Sequence, residues 1–194
     1  CLARSGCEVK VFEQASSIEE VGAGLQLSSN CSRVLHDLGL ESTIRDKAFL
    51  PEAAEIRDWK TGKLISSTLL GEKALSEYGF PYYHMHRADL LGILLEEARR
   101  HSNIELLAGA KVEGVTESSD EVNLNCSGEQ FKGDLLIGAD GIHSVTRRSL
   151  FGEEEPRFTG NVAWRGVVRA DKLSEGLIRP VAGLWWGPGK HFVH

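Results

Sequence analysis

Cysteine is scarce in this 194-residue chain, and the four present, Cys1, Cys7, Cys31 and Cys126, show no C-x-x-C spacing. That excludes a zinc ribbon or a disulfide scaffold and points to reduced, structural thiols, which suits the cytoplasm. No apolar run approaches the ~20 residues of a membrane span, and no signal peptide is visible; a targeting segment upstream of Cys1 is left open. Basic charge is in deficit: 22 Lys and Arg against 28 Asp and Glu give a formal charge of −6. Without a basic stripe to displace counterions, a nucleic-acid partner is not expected. What remains, 41% hydrophobic and 26% charged residues, is an ordinary globular composition with enough chain to bury a core.

The most telling stretch is Leu136-Ile137-Gly138-Ala139-Asp140-Gly141-Ile142-His143-Ser144-Val145-Thr146-Arg147-Arg148. An apolar run breaks into a glycine-flanked Asp-Gly turn and then a helix start carrying a serine and arginines. A strand delivering a small acidic turn to a helix N-terminus presents backbone amides and one carboxylate to a ribose and a pyrophosphate. At the other end, Leu2 to Gln14 reads as a helix end capped near Gly6 and a strand about Val9 and Val11 that closes on Glu13. A carboxylate there is placed to accept from a ribose diol. The glycine-rich G-x-G-x-x-G turn that should precede it is lacking, and the chain starts inside the first helix without an initiating Met. Trp185 to His194 reads as a hairpin turning at Gly187-Pro188-Gly189 whose second strand is cut short. Both ends therefore read as those of a piece of a longer protein.

The Asp-Gly stretch resembles the corresponding motif of the FAD-dependent aromatic hydroxylases, the single-component flavoprotein monooxygenases related to salicylate hydroxylase. The strand ending in Glu13 makes the resemblance more specific. It implies an α/β, FAD-binding Rossmann-like fold of the glutathione-reductase type with a β-rich substrate domain, incomplete here. It also implies FAD as cofactor, NAD(P)H as co-substrate, molecular oxygen, and a phenolic or benzoate-like ring as the group hydroxylated. Of the family's three FAD fingerprints only Asp140-Gly141 is present; a later Gly-Asp motif would lie beyond residue 194.

By the same resemblance, Val21 to Leu27 matches the loop that runs past the isoalloxazine, making Gly24 a backbone contact; a tight turn between strand and helix is the alternative. His86-Arg87-Ala88-Asp89-Leu90-Leu91 resembles the family's Arg-x-x-Leu helix start, where the arginine contacts FAD, and a guanidinium suits pyrophosphate in a way a lysine does not. Solvation of Arg87, or pairing with Asp89, is the plainer account. Asn161 to Val168 reads as a strand opening the substrate domain and resembles the family's Trp/Tyr-Arg-Gly segment. Arg165 is the catalytic candidate, because a cation beside a phenol lowers its pKa and raises ring nucleophilicity; a solvent-facing arginine is the alternative.

The remaining elements follow from periodicity. Ser29 to Leu40 reads as an amphipathic helix stopped by Gly39, Ala53 to Ser67 as a hairpin turning at Lys60 to Lys63, and Tyr82 to His86 as a strand. Leu69 to Gly79 reads as irregular. Ala88 to His101 reads as a helix with Leu90, Leu91, Leu94, Leu95 and Ala98 on one face. Ile104 to Leu107 and three later runs, ending at Lys132, read as strands, the last three as a meander. Asp134 to Ala139 reads as a parallel strand buried on both faces. The expected organisation is a first FAD-binding segment over 1–50, an inserted β segment of the substrate domain over 51–86, a second FAD-binding segment over 87–152, and the start of the substrate domain over 153–194.

No metal site is expected. His84 and His86 share one strand face without a matching third ligand. Glu153-Glu154-Glu155 reads as a solvated acidic turn, His143 as a surface residue of its turn, and Trp185-Trp186 as packing, with an aromatic pocket as the alternative. Two other functional classes stay open: a Rossmann-type dehydrogenase, which would need no Asp-Gly turn after a meander, and a non-catalytic remnant of a hydroxylase.

Overall fold

The structure is a computed structural model that describes residues 1–18 and 23–194. Along the chain run β1 (Val9–Glu13), β2 (Gly24–Leu27), α1 (Ser29–Asp37), α2 (Glu41–Arg45), β3 (Ala53–Asp58), β4 (Leu64–Leu69), α3 (Gly71–Tyr78), β5 (Tyr83–His86), α4 (Arg87–Arg99), β6 (Ile104–Ala108), β7 (Val112–Glu117), β8 (Val122–Cys126), β9 (Glu129–Gly133), α5 (Val145–Phe151), β10 (Val181–Gly187) and β11 (Lys190–Val193). They divide into two compact units, 1–18 with 98–164 and 19–97 with 165–194.

In the first unit, a 3-10 turn over Ala3–Ser5 ends at Gly6, whose φ of +87° is the left-handed cap the sequence suggested. β1 then pairs in parallel with β6, Glu13 opposite Ala108. The Asn103 amide ties the turn to this pair by donating to the carbonyls of Ala3 (2.9 Å) and Cys7 (2.8 Å). β7, β8 and β9 form the expected antiparallel meander. Its inner face buries Val115, Leu124 and Cys126, against which Phe12, Phe131 and Leu136 pack. The rings of Phe12 and Phe131 meet edge to face at 4.9 Å, the geometry their quadrupoles favour.

Asp134 to Ala139 departs from expectation. It is not a strand, and Leu135 and Ile137 are exposed while Leu136 turns in to the meander cluster. Among the described residues β1 pairs with β6 alone, so no ladder receives the amides of 134–139 and only one side of the run has anything to pack on.

The second unit has a core of Leu27, Leu35, Leu40, Ile44, Tyr83, Met85 and Ile93. These side chains come from the antiparallel β2–β5 ribbon and from α1, α2 and α4, and the buried Ser32 hydroxyl is satisfied by donating to the Pro81 carbonyl at 2.6 Å. In α4 the buried anchor is Ile93, three residues beyond Leu90 on the same side, whereas Leu94, expected to face the core, is over a third exposed. Leu69 to Gly79 is a second correction: Gly71–Tyr78 form α3, whose Ala74 is buried and whose end is fixed by Gly79 at φ +75° donating to the Leu75 carbonyl. Ala74 is the single buried position of this short helix, which leaves little periodicity to read.

A four-stranded sheet in the order β11-β10-β3-β4 completes this unit. β3 and β10 are parallel, the expected β3–β4 and β10–β11 hairpins flank them, and β3 carries a bulge between Ile56 and Arg57. Asn161 to Val168, expected as a strand, forms no regular element and pairs with no strand among the described residues, and Trp164 is 95% exposed. Its alternating apolar residues have strand propensity but no neighbouring strand to bond.

Candidate cofactor and substrate sites

The Asp-Gly turn is locked by its own carboxylate. Asp140 Oδ1 accepts from the Ser144 hydroxyl (2.5 Å) and Oδ2 from the Thr146 amide (3.0 Å), while Ser144 caps α5 by accepting from the Arg147 amide at 2.9 Å. Burial pushes the Asp140 carboxyl upward, but the Ser144 and Thr146 bonds outweigh it and hold the group below the usual carboxylate range. A carboxylate has about four acceptor positions, so two intrachain bonds leave capacity for a ligand hydroxyl. Gly141 takes φ +74°, and a side chain there would meet open space. Gly138 is different: a Cβ would lie 2.9 Å from Thr146 Cγ2, so the first turn of α5 rests directly on the glycine.

Glu13 closes β1 in the same unit. Its Oε1 accepts from the Ala15 amide at 2.8 Å, which orients the carboxylate; among the described residues Oε2 takes no partner.

Gly24 and Arg87 are brought together in the second unit. Gly24 pairs with His86 across the β2–β5 ribbon, and the Arg87 amide donates to the Ala23 carbonyl at 2.9 Å. Gly24 is therefore in a strand rather than the expected loop or turn, its face open to solvent with no atom within 4 Å of an added Cβ. Val21 and Gly22, the start of that stretch, lie outside the described residues. Asp89, the acid weighed as a partner for Arg87, accepts from Lys47 at 3.3 Å. Arg165 lies in the exposed 161–169 stretch, outside any regular element. His84, within β5 of the same ribbon, has its imidazole held below the usual range by burial.

A further site was legible in the sequence only as the alternative reading of Trp185-Trp186, an aromatic pocket. The ends of β3 and β10 run side by side, Asp58 opposite Trp186, and the turns that follow enclose an open cleft of about 490 Å³. Trp59 and Trp186 form its walls and Asp58, Lys190 and His191 its polar groups. Both indoles are about half exposed. The Trp59 ring lies over Gly187, where a Cβ would fall 3.0 Å from Cγ, and the Trp59 amide donates to the Trp186 carbonyl at 3.0 Å. Asp58 Oδ1 accepts from the Thr61 hydroxyl (2.6 Å) and amide (2.7 Å), which hold its carboxyl low. Of the Trp pair, read as packing with an aromatic pocket as the alternative, Trp186 takes the alternative and lines the cleft. The missing signal was the parallel β3–β10 pairing between residues more than a hundred positions apart.

An α/β unit with a carboxylate ending a parallel strand, a meander, and a carboxylate-locked Asp-Gly turn defines a nucleotide-binding flavoprotein architecture. Residues 1–181 match the FAD binding domain family, and the chain belongs to it. It is 40% identical over 190 residues to the 3-amino-4-hydroxybenzoate 2-monooxygenase of Streptomyces cremeus, covering 97% of this chain and 47% of that protein. To the 3-hydroxybenzoate 6-hydroxylase of Klebsiella oxytoca it is 34% identical over 194 residues, covering 100% of this chain and 49% of that protein. The chain spans about half the length of these curated relatives. Among solved structures, p-nitrophenol 4-monooxygenase from Pseudomonas putida superposes with a TM-score of 0.67 at 22% identity, covering 77% of this chain and 39% of that one. For 2-methyl-3-hydroxypyridine-5-carboxylic acid oxygenase the values are 0.64, 26%, 77% and 37%.

The residues present suit FAD. In the first unit the strand-end Glu13 carboxylate, oriented by Ala15, has the acceptor chemistry a ribose hydroxyl needs, and Gly141 leaves open space beside its backbone; in the second unit Gly24 leaves the same open space.

Proposed function

We propose that the protein containing this chain is an FAD-dependent, NAD(P)H-driven monooxygenase that hydroxylates a phenolic or benzoate-like ring. The observation that carries this reading is the cleft walled by Trp59 and Trp186, with Asp58 and His191 at its rim, in a chain of the FAD binding domain family. The names of its relatives, benzoate and phenol monooxygenases, point the same way.

In this reading 1–50 and 87–152 serve the cofactor, and 51–86 and 153–194 serve the substrate. Glu13 holds the adenosine ribose through Oε2, Asp140 and Gly141 and the Gly24 backbone make further contacts, and Arg87 neutralises the pyrophosphate. When bound, FAD would supply the redox chemistry, with NAD(P)H as reductant and molecular oxygen giving one atom to the ring and the other to water. The two indoles stack on the substrate ring and exclude water. His191 takes the phenolic proton at a ring nitrogen, and Arg165 stabilises the phenolate, both raising the nucleophilicity of the ring.

The test is isotopic. Purified protein with FAD, NADH or NADPH and either 3-hydroxybenzoate or 3-amino-4-hydroxybenzoate is exposed to ¹⁸O₂, and product is analysed by mass. Incorporation of one ¹⁸O is expected; flavin-loaded protein that oxidises NAD(P)H without labelling any phenolic or benzoate-like probe sinks the reading.

A further inference from the structure

The cleft stands on a charge network, centred on one buried carboxylate, that the proposed chemistry does not use. Glu55 of β3 is 5% exposed, an unusual place for a carboxylate. Its Oε2 accepts from Arg57 Nε (3.0 Å) and Nη2 (2.7 Å), and its Oε1 from Arg179 Nη1 (2.6 Å). Two guanidiniums hold the carboxyl of Glu55 below its usual range, Arg57 contributing most. The Arg179 side chain is more than half exposed, so the cluster is weak evidence for stability; fixing one geometry is a better-supported use.

The network reaches the cleft in two directions. Arg57 sits at the β3 bulge and donates a third bond, from Nη1 to the Gly62 carbonyl at 2.9 Å, inside the turn that presents Asp58 and Trp59. Bulges re-aim the side chains that follow them, and a guanidinium bonded on both sides leaves this one a single setting. Arg179 lies just ahead of β10, whose preceding Pro180 carbonyl accepts from the Glu52 amide at 2.8 Å. From there β10 runs in register with β3 to bring Trp186 beside Asp58. A slip of one residue would turn Trp186 to the other face of the sheet.

We propose that Glu55 is a positioning residue that, through Arg57 and Arg179 together, sets the Asp58–Trp59 rim against the Trp186–His191 rim of the cleft. The proposal rests on the reading of this cleft as the aromatic site, and its test separates the two. In the full protein, Glu55→Gln, Arg57→Lys, Arg179→Lys and Arg179→Ala are compared by ¹⁵N-resolved NMR of the Trp59 and Trp186 indoles and the Gly62 amide. The methyl groups of Ile44 and Ile93 report on the separate helical core. Affinity for 3-hydroxybenzoate is measured alongside.

Glu55→Gln and Arg57→Lys should move the Trp59 and Gly62 signals, leave the Ile44 and Ile93 methyls in place, and weaken the probe by about tenfold, the scale of a small misplacement at a site. Arg57→Lys loses the planar fork that meets Glu55 at two nitrogens and Gly62 at a third, whereas Arg179 uses one N–H, so Arg179→Lys should restore what Arg179→Ala loses. Signals unmoved in Glu55→Gln, or Arg57→Lys matching the parent protein, overturn the proposal. Movement of the cleft signals in a protein that never binds the probe supports the positioning role and overturns the aromatic-site reading.

Discussion

Replacing Gly138 by alanine adds one methyl group at the most crowded point of the Asp-Gly turn. The new Cβ would lie 2.9 Å from Thr146 Cγ2, 3.0 Å from its Cβ and 3.4 Å from Oγ1. Thr146 cannot swing aside: it is β-branched, sits in the first turn of α5, and its amide is bound to Asp140 at 3.0 Å. Relief requires the helix or the turn to move by several tenths of an ångström, an overpacking cost of about 1 to 3 kcal/mol. Against this stands the gain of ~0.4 to 1 kcal/mol that alanine brings by restricting the unfolded chain, available because φ at 138 is not left-handed. Net destabilisation of about 1 to 2 kcal/mol is expected, read as a lowered urea midpoint at unchanged slope. Adding Thr146→Ser, which deletes the methyl in contact, should recover part of the loss. Gly141→Ala provides the contrast, having open space but φ +74°, so its cost of ~1 kcal/mol is conformational and Thr146→Ser should not relieve it. A Gly138→Ala protein as stable as its parent would refute the close-approach argument.

Glu13→Ala in the full protein should weaken FAD by about 1 to 3 kcal/mol, the scale of hydrogen bonds to a charged acceptor, with the fold retained; flavin-fluorescence titration of apo-protein decides it, and unchanged affinity removes Glu13 from the site. Arg165→Ala should keep FAD bound while hydroxylation slows and a larger share of NAD(P)H is diverted to peroxide; coupling and rate equal to the parent's would make Arg165 structural. Asp140 has a depressed folded pKa, so its contribution to stability is present in full above the ordinary carboxylate range near ~4 and is lost as pH falls through the lower folded value. Denaturant midpoints of the parent and Asp140→Asn should therefore converge in acid and separate toward neutrality; a gap independent of pH would contradict the capping geometry.

Local chemistry made much of this chain legible. Strand β1, the Gly6 and Gly39 stops, the β3–β4 hairpin and the three-strand meander each follow from residues close in sequence, as does the serine start of α5, although in β1 it is Phe12 that packs inward while Val11 is exposed. The Asp-Gly turn could be read for the same reason: Thr146 lies six positions from Asp140 and Ser144 four, so the turn and the start of α5 are enough to join them. Where expectation failed, the deciding neighbour was distant or not among the described strands. Asp134 to Ala139 and Asn161 to Val168 have strand composition, but a strand exists only when another backbone takes its hydrogen bonds. Ile93 outranks Leu94 because the β2–β5 ribbon and α1 lie on its side of α4. The cleft depends on long-range contacts above all, since Asp58 meets Trp186 and Glu55 meets Arg179 only once β3 and β10 pair in parallel. Sequence alone determined the local elements and the family-like turn, because the forces behind them act within a few residues; which side chains share a pocket was decided by tertiary structure, because pairing register joins segments whose spacing along the chain carries no trace of it.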